Sequence, residues 1–261
     1  MTEQRSALES KVSSLTTRFY YGSGATPFGI KDTAFNVFIL VYYNQVLGLD
    51  AFLTGLALAI AVLTDAVSDI AVGYLSDNWR SRLGRRHPFM YAAALPVAVS
   101  FYALWNPPEI VTQGSWLLFS YLVVMAILVR SCLTFFEVPN AALGPELSNN
   151  YDDRTRLMAF RYLFGWLGGL STAVLTFMVL LPSDEAGQLG PAGYRALGTV
   201  GASSMLVMMM LSSIGTHRHI ASLHVPPSRP AFSFGELFRS IRAMFGNRSF
   251  VAVFISALFF G

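Results

Sequence analysis

Residues 51–75 read AFLTGLALAIAVLTDAVSDIAVGYL, an apolar run interrupted by two acids, Asp65 and Asp69. A hydrocarbon core of about 30 Å takes about 20 helical residues, so the run predicts a membrane-spanning helix. Each ionised Asp near the centre of such a helix costs about 2.5–3.5 kcal/mol on an insertion scale, which makes an acidic pair there a functional-site signal. The i, i+4 spacing sets both carboxylates on one helix face, where like charges share a proton or hold a cation between them. Coupling to a cation would require such an arrangement.

Working outward, 54% of residues are hydrophobic and only 13% are charged, and the mean hydropathy is +0.50, which excludes a soluble globular domain. Apolar segments at Phe19–Leu49, Pro88–Trp105, Trp116–Leu143, Leu157–Leu181 and Tyr194–Ile214 join residues 51–75 to give six expected spans. A further segment opens at Phe250 and reaches Gly261 too soon to cross. The expected organisation is therefore an all-α membrane protein. It has a tail at 1–18, a six-helix bundle at 19–214, a basic linker at 215–248 and the truncated start of a seventh helix at 249–261. In the linker, Phe234, Leu237, Phe238, Ile241 and Phe245 recur at helical spacing around Arg239 and Arg242, as in an interfacial amphipathic helix. Such a linker reads as the join between two six-helix halves, so the chain is expected to need a carboxyl-terminal half beyond Gly261.

Basic residues accumulate on the cytoplasmic side of membrane proteins. Arg5, Lys11 and Arg18 in the tail, Arg80, Arg82, Arg85 and Arg86 in the second loop, Arg154 and Arg156 in the fourth, and Arg218, Arg229, Arg239, Arg242 and Arg248 after the sixth span make fourteen on one side. Arg195 alone lies on the other, which predicts a multi-pass protein of a plasma (bacterial inner) membrane with a cytoplasmic amino terminus. The formal net charge of +3 comes from this asymmetry and does not suggest nucleic-acid binding. Cys132 is the sole cysteine, so neither a disulfide nor a thiolate metal site is expected. His217, His219 and His224 read as part of a solvated basic loop rather than a metal site. No nucleophile and base pair, phosphate loop or metal-ligand spacing suggests an enzyme or a cofactor.

The charges left inside the expected spans are Lys31, Arg130 and Arg161 against Asp32, Asp65, Asp69 and Glu137. Three positive and four negative charges leave one net negative, which one monovalent cation or proton would balance. At about 1.5 Å per residue, Asp69 and Glu137 lie at similar depth and could line one cavity, with Arg161 reaching Glu137. Arg130 shares a face with Glu137 and reads equally well as a structural ion pair. Gly165 and Gly169 form a small-xxx-small face suited to close helix packing.

Gly73-Tyr74-Leu75-Ser76-Asp77, followed by Arg80, Arg82, Gly84, Arg85, Arg86 and Pro88, resembles the loop signature between the second and third helices of the major facilitator superfamily. Its extended form resembles that of the glycoside, pentoside and hexuronide cation symporters. Gly29-Ile30-Lys31-Asp32, Asp65-Ala66-Val67-Ser68-Asp69, Thr134-Phe135-Phe136-Glu137-Val138-Pro139 and Arg161 match that family's elements in order along about the first 170 residues. The resemblance implies the amino-terminal half of a twelve-helix transporter that moves a sugar or glycoside together with sodium or a proton by alternating access. It implies a coupling-cation site at Asp65, Asp69 and Thr134, and a polar substrate site at Lys31, Asp32, Glu137 and Arg161. Asp77 with Arg85 would latch the cytoplasmic gate formed by Gly73, Asp77, Arg80, Arg82, Gly84, Arg85 and Arg86. Three departures qualify this. Glu137 stands where an aspartate is found, Ser68 replaces an asparagine that tunes cation choice, and Ala141 replaces a sugar-stacking tryptophan. A lipid or lysolipid transporter of the same superfamily, with Ala141, Phe135 and Phe136 lining an apolar cavity, and a non-transporting membrane scaffold are the alternatives.

Overall fold

A computed structural model of the chain describes residues 13–218, apart from 80, 82, 149 and 182–188, together with positions 220, 235, 246, 247, 249, 251 and 252. The chain divides into two compact units, Met1–His224 and Val225–Gly261. The amphipathic helix expected around residues 234–245 and most of the seventh segment lie outside the described residues.

Among the described residues every regular element is helical. Five helices are long and apolar enough to cross a membrane: α3 (Ala51–Asn78), α4 (His87–Trp105), α6 (Ser115–Leu147), α7 (Tyr151–Leu175, extended by a π-helical turn to Leu180) and α8 (Pro191–His217). A short α5 (Glu109–Thr112) joins α4 to α6. The first expected span is not one uninterrupted helix. It comprises α1 (Leu15–Ser23), α2 (Thr26–Thr33) and π-helical turns at Ala34–Phe38 and Val41–Val46. The break has a local cause, because Pro27 in the first turn of α2 has no N–H to continue the ladder, and Ala25 N–H donates instead to Gly22 O at 2.8 Å.

Helix ends follow from capping. Asp50 accepts hydrogen bonds from the Phe52 and Leu53 amides at 2.9 and 3.2 Å to start α3. Asn150 accepts from the Asp152 amide at 2.9 Å to start α7, whose first turn carries Asp152 and Asp153 where the helix dipole favours acids. The fourth and fifth spans therefore run further than hydropathy alone suggested. Glu146 and Asp153, which fall between the expected spans Trp116–Leu143 and Leu157–Leu181, lie in the last turn of α6 and the first turn of α7. Arg18, assigned to the tail by its charge, is buried in α1. Its guanidinium and the Ser13 amide and hydroxyl all donate to Asp153, at 3.0, 2.7 and 2.7 Å.

Within the first unit α6 is flanked by α3 and α4, α4 also packs along α8, and α2 runs against α7. The α2–α7 approach depends on glycine. A Cβ on Gly29 would stand 1.9 Å from Gly165 O and 2.8 Å from Gly169 N, so the small-residue face of α7 receives the backbone of α2. At the far end of α4, three phenols donate hydrogen bonds to its terminal carbonyls. Tyr121, Tyr43 and Tyr42 donate to the carbonyl oxygens of Ala103, Leu104 and Trp105 at 2.7, 2.7 and 3.0 Å. The Tyr42 ring stacks on Tyr194, with 4.9 Å between centroids, and so ties α8 to the same end.

Candidate functional site

The centre of the first unit holds a cavity of about 350 Å³ between α2, α3, α6 and α7. Lys31, Asp32, Asp65, Asp69, Arg130, Glu137 and Arg161 all line it, so every charge counted inside the expected spans opens onto one space. Phe28, Leu133, Thr134, Val138 and Ala141 complete the wall. Burying so many charges along apolar helices requires each to find a partner.

Helical periodicity builds the α6 wall, since Arg130, Thr134, Glu137 and Ala141 follow one another at steps of four, three and four residues on one face. From α3, Asp65 and Asp69 come to meet it on successive turns. Arg130 Nη2 lies 2.7 Å from Asp65 Oδ2. Thr134 Oγ1 lies 3.0 Å from Asp65 Oδ1 and 2.9 Å from Asp69 Oδ1. The Thr134 hydroxyl thus stands between the two carboxylates, within hydrogen-bond distance of both, with one hydrogen to share between them.

The opposite wall is also paired. Arg161 Nη2, from α7, lies 3.3 Å from Glu137 Oε1. Lys31 Nζ lies 4.0 Å from Asp32 Oδ1 and 4.4 Å from the centroid of the Phe28 ring, a cation–π contact that holds the buried ammonium at the cavity edge. Asp32 and Asp69 are the more exposed acids and face open space. Chemically, one side offers two carboxylates and a hydroxyl to a cation or proton. The other offers an ammonium, a guanidinium and two carboxylates to the hydroxyls or charged groups of a solute.

A second charge cluster lies at the α3–α4 connection. Arg86 Nη2 is 2.6 Å from Glu146 Oε1 and 3.4 Å from Asp77 Oδ1. Arg85 pairs with Glu146 as well and reaches Asp77 at 4.0 Å. Glu146, at the end of α6, is thus the common acceptor, and Asp77 is the outer, more exposed partner. Burial lowers the pKa of Arg86 from its ordinary value, and the Glu146 carboxylate acts in the opposite direction. Gly84 has φ +76°, a left-handed turn where a side chain is strained, and Ser81 Oγ donates to Gly84 O at 2.7 Å. Gly73 faces Val138 at ordinary contact distance, so its lack of a side chain is not demanded by space. Arg80 and Arg82 lie outside the described residues.

Two readings of the sequence are corrected. His217 is the last residue of α8 rather than part of the loop that follows, and it is exposed. Its Nδ1 lies 3.0 Å from the Tyr91 hydroxyl, and its ring meets His87 edge-on with 5.8 Å between centroids. His219 and His224 lie outside the described residues. Phe135 and Phe136 do not line the cavity. Phe136 is fully buried in the core, and Phe135 stacks on Phe89 with 6.3 Å between centroids. Sequence reasoning left Arg130 outside the site. Its place on the same α6 face as Thr134 and Glu137 was the available signal, and Asp65 is the partner that draws it in.

The family described as MFS/sugar transport protein matches residues 20–260. An uncharacterized symporter of Synechocystis is 34% identical over 183 residues, covering 67% of this chain and 34% of the relative. A putative glycoside/cation symporter of Escherichia coli, YagG, is 27% identical over 191 residues, covering 72% and 40%. The sodium-dependent lysophosphatidylcholine symporter 1 of Gallus gallus is 28% identical over 164 residues, covering 62% and 30%. The chain spans 30% to 40% of the length of these relatives, which are named as symporters rather than enzymes. A helical membrane protein matched along residues 20–260 in this way belongs to the MFS/sugar transport protein family of the major facilitator superfamily.

Proposed function

We propose that the chain forms the amino-terminal half of a cation-coupled symporter that carries a sugar or glycoside by alternating access, its amino terminus on the cytoplasmic side. The observation that carries this reading is the convergence of all seven intramembrane charges on one cavity. Asp65, Asp69 and Thr134 hold the coupling cation or proton. Lys31, Asp32, Glu137 and Arg161 bind the polar face of the solute. The two sites share α6 and are a few residues apart, so occupation of one alters the field at the other, and each ligand tightens the other by the same factor. The α3–α4 cluster of Asp77, Arg85, Arg86 and Glu146 acts as the cytoplasmic latch, remade in each cycle. A carboxyl-terminal half closes the cavity from the side that α3 and α7 leave open.

The test is uptake into vesicles of the protein expressed from its native reading frame, screened with sugars, glycosides and uronides under imposed proton or sodium gradients, beside Asp69→Asn. Gradient-driven uptake that falls at least about tenfold in the variant supports symport, since a tenfold loss asks for only about 1.4 kcal/mol of coupling. Undiminished uptake in Asp69→Asn would sink the role given to the acidic pair, and tolerance of both Asp65→Asn and Asp69→Asn would point to a scaffold. A second reading, an amphiphilic solute such as a lysolipid, is favoured by the Ala141, Leu133 and Val138 wall, and a lysolipid in the same screen decides between them.

A further inference from the structure

The acidic pair already carries a cation of its own. We propose that Arg130 is a tethered counter-ion standing on Asp65, that it excludes sodium from the pair, and that transport by this protein is independent of sodium. The inference deepens the symport reading above and rests on it.

The argument begins with the lone pairs. Sodium, a hard cation, requires several oxygens converging on one point. Asp65 is already engaged, because Oδ2 receives Arg130 Nη2 at 2.7 Å and Oδ1 lies 3.0 Å from the Thr134 hydroxyl, so its negative charge is matched by a fixed guanidinium before any ion arrives. Arg130 is fixed in this position. It leaves α6 one turn before Thr134, its side chain is only 16% exposed, and the ring of Phe35 lies beneath its guanidinium at 5.8 Å. Among the described residues Asp65 is the one acid within ion-pair distance of it.

Charge pairing points the same way. With Arg161 on Glu137 and Lys31 beside Asp32, each fixed positive group has an acid of its own, and Asp69 is left facing Thr134 at 2.9 Å. One carboxylate and one hydroxyl beside a permanent guanidinium do not make a sodium cage. A guanidinium is charged at every physiological pH, and two like charges about 4 Å apart in a partly dry cavity repel strongly. A pair without this arginine would be free to close both carboxylates around a metal ion. Arg130 is therefore the residue that determines which cation the site accepts.

Sodium binding is measured without any solute, so its outcome is separate from that of the uptake screen. The melting temperature of the protein, expressed from its native reading frame and held in nanodiscs, is compared in sodium chloride and in choline chloride at equal ionic strength. We expect the wild type to show no sodium-specific change. Arg130→Gln should gain a rise of at least about 2 °C, and Arg130→Lys, which keeps the charge, should stay insensitive. Arg130→Met replaces the glutamine variant if that one does not fold. Sodium-specific stabilisation of the wild type, an unresponsive neutral variant, or a response in Arg130→Lys would each overturn the proposal. Failure of every solute in the uptake screen would instead sink the symporter reading and leave the melting result standing.

Discussion

Single side chains decide most where a charge is held away from water. Asp153 is 2% exposed and receives Arg18 and Ser13, so Asp153→Asn would strand a buried guanidinium. Breaking one side of such a pair costs about 3–5 kcal/mol. The expected outcome is a melting temperature several degrees lower in detergent, with Arg18→Met combined with Asp153→Leu recovering much of the loss. In the cavity, Glu137→Gln leaves Arg161 without its carboxylate, and we expect the apparent affinity for solute to weaken by about tenfold while protein yield is unchanged, as read from uptake against solute concentration. The acidic pair was legible in the sequence because a charge in an apolar run has no cheap explanation. Arg130 was only half legible, since helical spacing gives the face of a residue but not its partner on another helix. The helical position of Glu146 was hidden for a different reason, as hydropathy falls off before the α6 backbone stops being helical.

At the scale of elements, glycine and proline set where the backbone bends and how closely helices approach. Gly29→Ala drives a methyl into the Gly165 carbonyl, so α2 and α7 must separate, and we expect loss of folded protein by size-exclusion chromatography. Gly84→Ala is milder. It forces a side chain into a left-handed turn at about 1–2 kcal/mol and should lower the melting temperature slightly while slowing uptake, because Arg85 and Arg86 follow directly. The glycine face of α7 could be read from its four-residue spacing, but its partner Gly29 could not. The first segment illustrates the limit of periodicity. Its π-helical turns and the break at Gly24 and Ala25 keep an apolar composition that a hydropathy window reads as one span.

At the scale of the whole molecule, the ends of the helices sort by charge, and orientation is open to direct measurement. A cysteine at exposed Gln113, between α5 and α6, should react with an impermeant maleimide on intact cells, and one at exposed Ser81 only after permeabilisation. Labelling in the opposite order would invert the proposed topology. The capped end of α4 has a further consequence for how the protein sits in lipid. With 19 residues, α4 is the shortest of the five crossing helices, about 28 Å at 1.5 Å per residue, slightly less than a typical hydrocarbon core. A bare helix end in that position would expose carbonyls to acyl chains or thin the bilayer around it. Because Tyr42, Tyr43 and Tyr121 meet those carbonyls with hydroxyls, this end of α4 does not depend on water to satisfy them, wherever it lies along the bilayer normal.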